Sequence, residues 1–482
     1  MPITNRPQLL LDRRARSAFA LGTSALGILL AAVGCSTTST APKDDANDAS
    51  VDAEVPEAAD AGADAADTGT AQPATSDAGP RPIECVDAVC AKALVTTVVK
   101  NDINQGGFCA LLADATVACW GVNFNGELAR SDVALSGVPE RVAGLKDIVH
   151  LSHTCALDKD GAVWCWGRGP FLQSTTDAFS TTYSPVKLPI PIATHFDFMM
   201  GWFPPFEPHF DQSATSAHAI GCAVVEGDSV ACWGMNGNGQ VRPRTVNESM
   251  TDANPVTTVD IPDGAPIQDI FVAGATFLLR TDGTLLSWGA NVMLGRVSSL
   301  IPTDSRPRPV ALTGITYVDA EGGNACVVAR GSVYCWGATI RRPPLGGHDP
   351  LSTWDDSSAF AATPRQVELP ELAVSVSTTA AFAGSDYSDP QRGCAVTLSG
   401  DVYCWGSNVS GQAGDGTRDF AVRPVKVKGL PGPASIVRAG ALTTCALLTT
   451  GKVYCWGENA TGDLGNGTIY EPSLDPVEVL LP

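Results

Sequence analysis

Histidine is scarce in this sequence and positive charge is outnumbered. Of 482 residues only six are His, at 150, 153, 195, 209, 218 and 348. Lys and Arg total 31 against 51 Asp and Glu, a formal net charge of −20. So acidic a surface repels nucleic acid and anionic lipid headgroups, since binding to either is driven by neutralising phosphates. No Ser/His/Asp order, phosphate-cradling glycine loop or zinc-binding helix motif stands out. Glycine is abundant but falls at turns. These absences argue against an enzyme, and no cofactor or metal is expected. Helical periodicity is missing from the repeating body. What stands there instead is short apolar runs punctuated by Gly, Pro and Asn, the pattern of short strands and tight turns.

The first 84 residues read as address and spacer. Arg6, Arg13, Arg14 and Arg16 form a basic leader, Ser17 to Gly34 is apolar and small, and Ala32-Val33-Gly34-Cys35 closes it. This is the layout of a secretory signal, to be set aside from fold reasoning. The residues before Cys35 resemble a bacterial lipobox, so residues 1–35 are expected to be a lipoprotein signal peptide with Cys35 acylated. Ser36 resembles outer-membrane sorting, and Arg13-Arg14 hints at twin-Arg export. Residues 36–84 hold 11 acids, two bases and no aromatic residue. Such a segment buries too little apolar surface to order itself, and its like charges extend it. It reads as a disordered Ala/Asp-rich tether.

The remainder, 85–482, repeats. Trp-Gly occurs at Trp120, Trp166, Trp233, Trp288, Trp336, Trp405 and Trp456, at intervals of 46 to 69 residues. That is the spacing of propeller blades with loops of varying length. The last full repeat shows four strands: Pro424-Val425-Lys426-Val427, Ser435 to Ala439, Cys445 to Leu448, and Val453 to Gly457. The fourth is apolar at successive positions, as a strand buried on both faces would be.

Fifteen Cys resolve into Cys35 and seven pairs. Between Cys155 and Cys165, Lys159-Asp160-Gly161 makes a three-residue hairpin loop, so Cys155 faces Cys165. Between Cys326 and Cys335 the spacing is one shorter and the loop is the two-residue Arg330-Gly331. Both place the pair on the fourth rung from the loop, where a non-hydrogen-bonded pair suits a cross-strand bridge. The same applies to Cys109-Cys119, Cys222-Cys232, Cys394-Cys404 and Cys445-Cys455. Blade four has Phe277 and Ser287 instead, both Cys missing together as a bonded pair requires. Cys85-Cys90 is a seventh disulfide ahead of the first blade. So many regular pairs point to an oxidising compartment.

The C-terminal Asp475-Pro476-Val477-Glu478-Val479 matches the opening Pro-Val-x-Val strand, but no repeat follows it, and the first repeat lacks that strand. The expectation is therefore an all-β, seven-bladed β-propeller closed by pairing of its N- and C-terminal strands.

Repeats such as Ile436…Gly440…Cys445-Ala446-Leu447…Gly451-Lys452-Val453-Tyr454-Cys455-Trp456-Gly457-Glu458-Asn459…Gly462-Asp463-Leu464-Gly465 resemble the regulator of chromosome condensation repeat family. The resemblance covers about 90–482 and implies a seven-bladed propeller. It also implies a structural role for His153 and His218. The family's best-known member is a nuclear guanine-nucleotide exchange factor, a role that an exported disulfide protein does not meet. Other members are exported bacterial proteins, one of which caps a β-lactamase with one propeller face. Fold alone does not choose among these.

The functional expectation rests on loops. With four strands A to D running up and down, insertions at about 202–217 and 380–392 (A–B) and at 168–183, 296–306 and 339–362 (C–D) share one face. The insert His195 to Asp211 is rich in aromatics, and Trp202, Phe203, Phe206, Phe210 and Tyr387 form a candidate binding loop set. His195, Asp197, Glu207, His209 and Asp211 match no metal-site spacing. The reading is a monomeric, non-catalytic binding or scaffold protein of the bacterial cell envelope. Its ligand is a protein or polysaccharide, and it meets the outer membrane only through its lipid anchor. The alternative is an envelope hydrolase or lyase with carboxylates on the ring face, and the least favoured reading is nucleotide exchange.

Overall fold

The computed structural model describes residues 77–97, 106–172, 180–203, 216–245, 252–300, 303–337, 361–379 and 392–482. They form seven four-stranded antiparallel sheets, each built from one continuous stretch of chain. Blade one comprises Ala91–Thr96, Gly107–Leu112, Val117–Val122 and Leu135–Arg141. Blade seven comprises Ala434–Ala439, Thr443–Leu448, Val453–Gly457 and Ser473–Glu478. The other innermost strands are Ile148–Ser152, Ala193–Phe203, Ile267–Val272, Ile315–Glu321 and Ala373–Thr378. All seven innermost strands line one central cavity of about 370 Å³.

The expected strand exchange at the ring closure is overturned. Ser473–Glu478 pairs with Val453–Gly457 in its own blade, with Tyr454 opposite Glu478 and Cys455 opposite Val477. The Pro-Val-x-Val strand is thus the outermost strand of its blade, not the opening one, and blade one is complete without the C-terminus. The ring closes by packing. Leu94, Phe108 and Trp120 of blade one share a buried cluster with Cys445, Leu447, Leu464 and Val479.

The Trp-Gly tryptophans make that packing directional. Each of the seven is almost fully buried. At roughly 200 Å² and 25 cal/mol per Å², each contributes on the order of 5 kcal/mol before its ordering entropy. Indole nitrogens donate to carbonyls of the preceding blade: Trp166 to Glu127 (2.9 Å), Trp233 to Pro170 (2.8 Å), Trp288 to Gln240 (2.9 Å), Trp336 to Met293 (2.8 Å) and Trp456 to Gln412 (3.0 Å). At the seam Trp120 of blade one donates to Asp463 of blade seven, at 2.9 Å. The clamp that joins blade to blade also joins last to first.

The Cys pairs lie where the turn geometry puts them. Cys155 is opposite Cys165 and Cys326 is opposite Cys335. All six hairpin bridges are formed with Cα–Cα distances of 4.0 to 4.1 Å. Gly161 holds the three-residue loop at φ +80°, where a Cβ would be strained. Cys85–Cys90 is bonded as well. In blade four Phe277 stands opposite Ser287. There Ser287 Oγ donates to Leu294 O at 2.7 Å and accepts from Arg296 Nε at 3.2 Å. Arg296 pairs with Asp304 at 3.0 Å, their side chains 8% and 1% exposed. A buried ion pair therefore stands where the other blades have a bridge.

Strand alternation assigns the faces. Connections from first to second and from third to fourth strand share one face, and the short second-to-third hairpins occupy the other. The chain between Phe203 and Ser216, and between Thr378 and Arg392, joins first to second strands. The chain between Gly169 and Ser180, Ala290 and Thr303, and Gly337 and Ala361 joins third to fourth. The described strand ends that these connections join thus share one face.

Candidate functional site: the central channel and the two faces

Each innermost strand carries a β-bulge near its start, seen as a register shift between Ile148 and His150, Ile267 and Asp269, Ile315 and Tyr317, and their counterparts. A bulge re-aims the side chains that follow it. The residue after each bulge and the one two further on then lie on the same side of the strand, facing the channel. Nearer the hairpin face this level supplies His150, His195, Asp269 and Tyr317. The next level, opposite the Cys position, supplies Ser152, Asp197, Asp319, Ser377 and Arg438.

The second level is a set of inter-blade clamps. Ser152 donates to Asp197 Oδ1. Asp197 Oδ2 accepts the Val272 amide of blade four at 2.6 Å. Asp319 accepts the Thr378 amide of blade six at 2.7 Å, and Ser377 accepts the Ala439 amide of blade seven at 3.0 Å. Arg438 donates through Nε to Leu94 O of blade one at 2.9 Å and through Nη1 to Tyr317 at 2.8 Å. Asp319 lies 3.7 Å from the same guanidinium.

Electrostatics follow from this enclosure. Burial pushes Asp197 up to about 7 despite the Ser152 and Val272 donors. Burial likewise pushes Asp269 up to about 7, against a single amide donor, Ile270 at 2.8 Å. Burial and then His195 push His150 down to about 4, and burial lowers His195 also. Both imidazoles are therefore neutral at pH 7. Four acidic residues, Asp197, Asp269, Asp319 and Glu321, do gather in the central channel, the arrangement that the hydrolase alternative requires. Two of them, Asp197 and Asp319, are engaged in clamping neighbouring blades.

The residues expected from sequence fall elsewhere. Trp202 and Phe203 end the innermost strand of blade three, their backbones opposite Ala217 and Ser216. Phe206, Phe210, Tyr387, Glu207, His209, Asp211 and Cys35 lie outside the described residues. His153 does the structural work expected of it: its Nδ1 lies 3.0 Å from Thr96 O of blade one. The channel position of the aspartates was missed, because the His-x-Ser, His-x-Asp, Tyr-x-Asp and Ile-x-Arg pairs stand at varying distances in sequence from the Cys positions that their second members face across the strand pair. Arg392 was missed too. It is 1% exposed and donates to Gln412 O at 3.2 Å and Thr443 O at 3.1 Å, bonding blade six to blade seven.

The last residues of the expected tether are docked on the body. Glu84 N donates to Thr449 O (2.7 Å), Ser435 Oγ to Arg81 O (2.5 Å), and Arg81 Nη1 to Leu398 O (2.7 Å). Leu398 and Thr449 belong to second-to-third hairpins, and Pro80 lines the channel cavity. The N-terminal arm therefore leaves the propeller on the hairpin face, at the mouth of the channel.

Comparison with known proteins agrees with this architecture. Residues 151–173 and 435–462 match one family model described as the regulator of chromosome condensation (RCC1) repeat, and residues 399–447 match another of the same description. The human E3 ubiquitin-protein ligase HERC2 is 30% identical over 235 residues, which cover 39% of this chain and only 5% of HERC2. The ultraviolet-B receptor UVR8 of Arabidopsis thaliana is 27% identical over 381 residues, covering 74% of this chain and 76% of UVR8. Among solved structures, human WBSCR16 superposes with a TM-score of 0.58 at 17% identity, covering 76% of this chain and 95% of that one. Prp20p of Saccharomyces cerevisiae, whose structure is described with its binding properties to Gsp1p and histones, gives 0.54 at 18%, covering 75% and 85%. At these identities the two structures show the fold alone. Trp-Gly repeats that clamp blade to blade around a seven-membered ring, together with the matched segments, show that this chain carries regulator of chromosome condensation repeats on a seven-bladed propeller.

Proposed function

We propose that this chain is an exported, lipid-anchored binding protein that presents the insertion-bearing face of its propeller to a protein ligand. One observation carries the reading: the N-terminal arm leaves on the hairpin face, opposite the long insertions. A tether anchored at Cys35 would hold the hairpin face toward the membrane and turn the elaborated face outward. Six hairpin disulfides suit an oxidising compartment, and loops on a rigid scaffold suit recognition. Relatives named as a receptor and as a protein binding Gsp1p and histones support binding as the role. Nucleotide exchange on a cytosolic GTPase fits neither the disulfides nor the leader.

Photo-cross-linking in the native cell tests this. A cross-linker at Trp202 or Tyr387 is expected to capture a partner identifiable by mass spectrometry, and one at Asp160 on the hairpin face is not. Capture from Asp160 alone would overturn the orientation. Polysaccharide would be the ligand if no protein is captured and envelope glycan is retained on immobilised protein. Labelling with an alkyne fatty acid should be lost in Cys35→Ser, and unchanged labelling would remove the anchor. Glycan turnover abolished by Asp269→Asn would favour the hydrolase alternative.

A further inference from the structure

The channel carboxylates divide into two kinds. Asp197 and Asp319 each spend one oxygen on an amide of the next blade and present the other to Ser152 and Arg438 respectively. Asp269 does not sit at the clamping level. Its Oδ1 accepts only the amide of its own neighbour Ile270, and among the described residues no cation pairs with it. Its side chain faces a cavity of about 370 Å³ that is bounded by all seven innermost strands. A half-buried carboxylate with one backbone donor is costly unless a counter-charge arrives. The clamps explain the other two aspartates, and nothing structural explains this one.

The surroundings specify the counter-charge. Four acidic residues and two neutral imidazoles line or border the channel as acceptors. Its guanidinium, Arg438, is already committed to Leu94 O, Tyr317 and Asp319. The cavity is thus rich in acceptors and poor in available donors. It falls in the size range of small-molecule sites. Two aromatic rings, Phe271 on the same strand and Tyr317 on the next blade, line it beside Asp269. A carboxylate flanked by aromatic faces recognises an ammonium group by charge and by cation–π attraction. A divalent metal would need several free oxygen ligands, and among the described residues no three His, Cys, Asp or Glu side chains come together to hold one.

We propose that the central channel is a binding site for a small organic ammonium ion, anchored by Asp269 and flanked by Phe271 and Tyr317. The site is independent of the insertion-bearing face and of any partner bound there. Titration calorimetry on the full chain with 1,4-diaminobutane tests it, with calcium chloride as the metal control. The diamine is expected to bind at millimolar concentration or tighter, and calcium to give no site-specific heat. Asp269→Asn should weaken the diamine at least tenfold. Phe271→Leu, which leaves the carboxylate in place, should weaken it several-fold. Circular dichroism and a count of free thiols check that each variant is folded. Absence of diamine binding overturns the proposal. So does diamine binding indifferent to both variants, and calcium binding that Asp269→Asn abolishes assigns the site to a metal instead.

Discussion

Blade four offers the sharpest test of how this propeller holds together, because it alone has replaced its hairpin disulfide. Phe277 and Ser287 occupy the bridge positions, and Arg296, Asp304 and Ser287 form a buried network beside them. Burial by itself would raise the Asp304 carboxyl. Donors from Ser298, Arg296 and Arg306 overcome that and hold it at about 2. Asp304→Ala removes the counter-ion and leaves the Arg296 guanidinium buried and unpaired. Breaking such a pair costs about 3–5 kcal/mol, somewhat more than the ~2–3 kcal/mol that one short hairpin disulfide contributes. Urea unfolding followed by tryptophan fluorescence without reductant should show that loss as a lower midpoint. Arg296→Met with Asp304→Leu should recover most of it, since an apolar pair of similar volume carries no desolvation penalty. Restoring the bridge with Phe277→Cys and Ser287→Cys should form a disulfide yet give no net gain. The change removes the Phe277 ring, fully buried and edge-on to Trp336 at 5.8 Å, and the hydroxyl that Arg296 uses. A loss below about 1 kcal/mol for Asp304→Ala would show that the network does not stand in for the missing bridge.

Further expectations concern pH and the seam. Asp269 titrates near 7 when folded and at 3.8 by model-compound chemistry, so the folded state keeps a proton that the unfolded chain has lost between those values. Its contribution therefore falls as pH rises from about 4 to 7, by up to about 4 kcal/mol, and Asp269→Asn should gain on the parent by that amount across the range. His150 acts with the opposite sign, but equally in both proteins. Thermal melts from pH 4 to 8 read the difference, and a gap that does not change with pH contradicts the assignment. Trp120→Phe removes the indole donor to Asp463 at the seam and should cost about 1–3 kcal/mol, with faster amide exchange in 437–447 than in blade four. Deleting 473–482 should lower the melting temperature by exposing the blade-seven edge and Val479, while far-UV circular dichroism stays β-rich. A coil spectrum would return the closing role to the C-terminus.

The boundary between what the sequence disclosed and what it concealed follows the range of the interactions. The Cys rungs were legible because hairpin register is fixed by two or three loop residues, such as Lys159-Asp160-Gly161 and Arg330-Gly331. The channel was not, because Asp197, Asp269, Asp319 and Arg438 meet only after seven bulged strands have been bent into a ring. The misplaced closing strand lies between these cases. A Pro-Val-x-Val segment is separated by loops from both the strand before it and the strand after it, so its pattern alone names no partner. Proline does point to its place. Every outermost strand carries one, among them Pro139, Pro185, Pro255, Pro364, Pro424 and Pro476, and no innermost strand does. Proline gives up a ladder donor, which an outer edge tolerates. The innermost strands instead use their amides between blades, as Val272, Thr378 and Ala439 do toward Asp197, Asp319 and Ser377. A chain whose blades clamp one another through innermost-strand amides and Trp-Gly indoles has no need to exchange a strand at its ends. The donation from Trp120 to Asp463 repeats at the seam the contact used at every other junction where the acceptor is described, and this ring closes by the same interactions that built it.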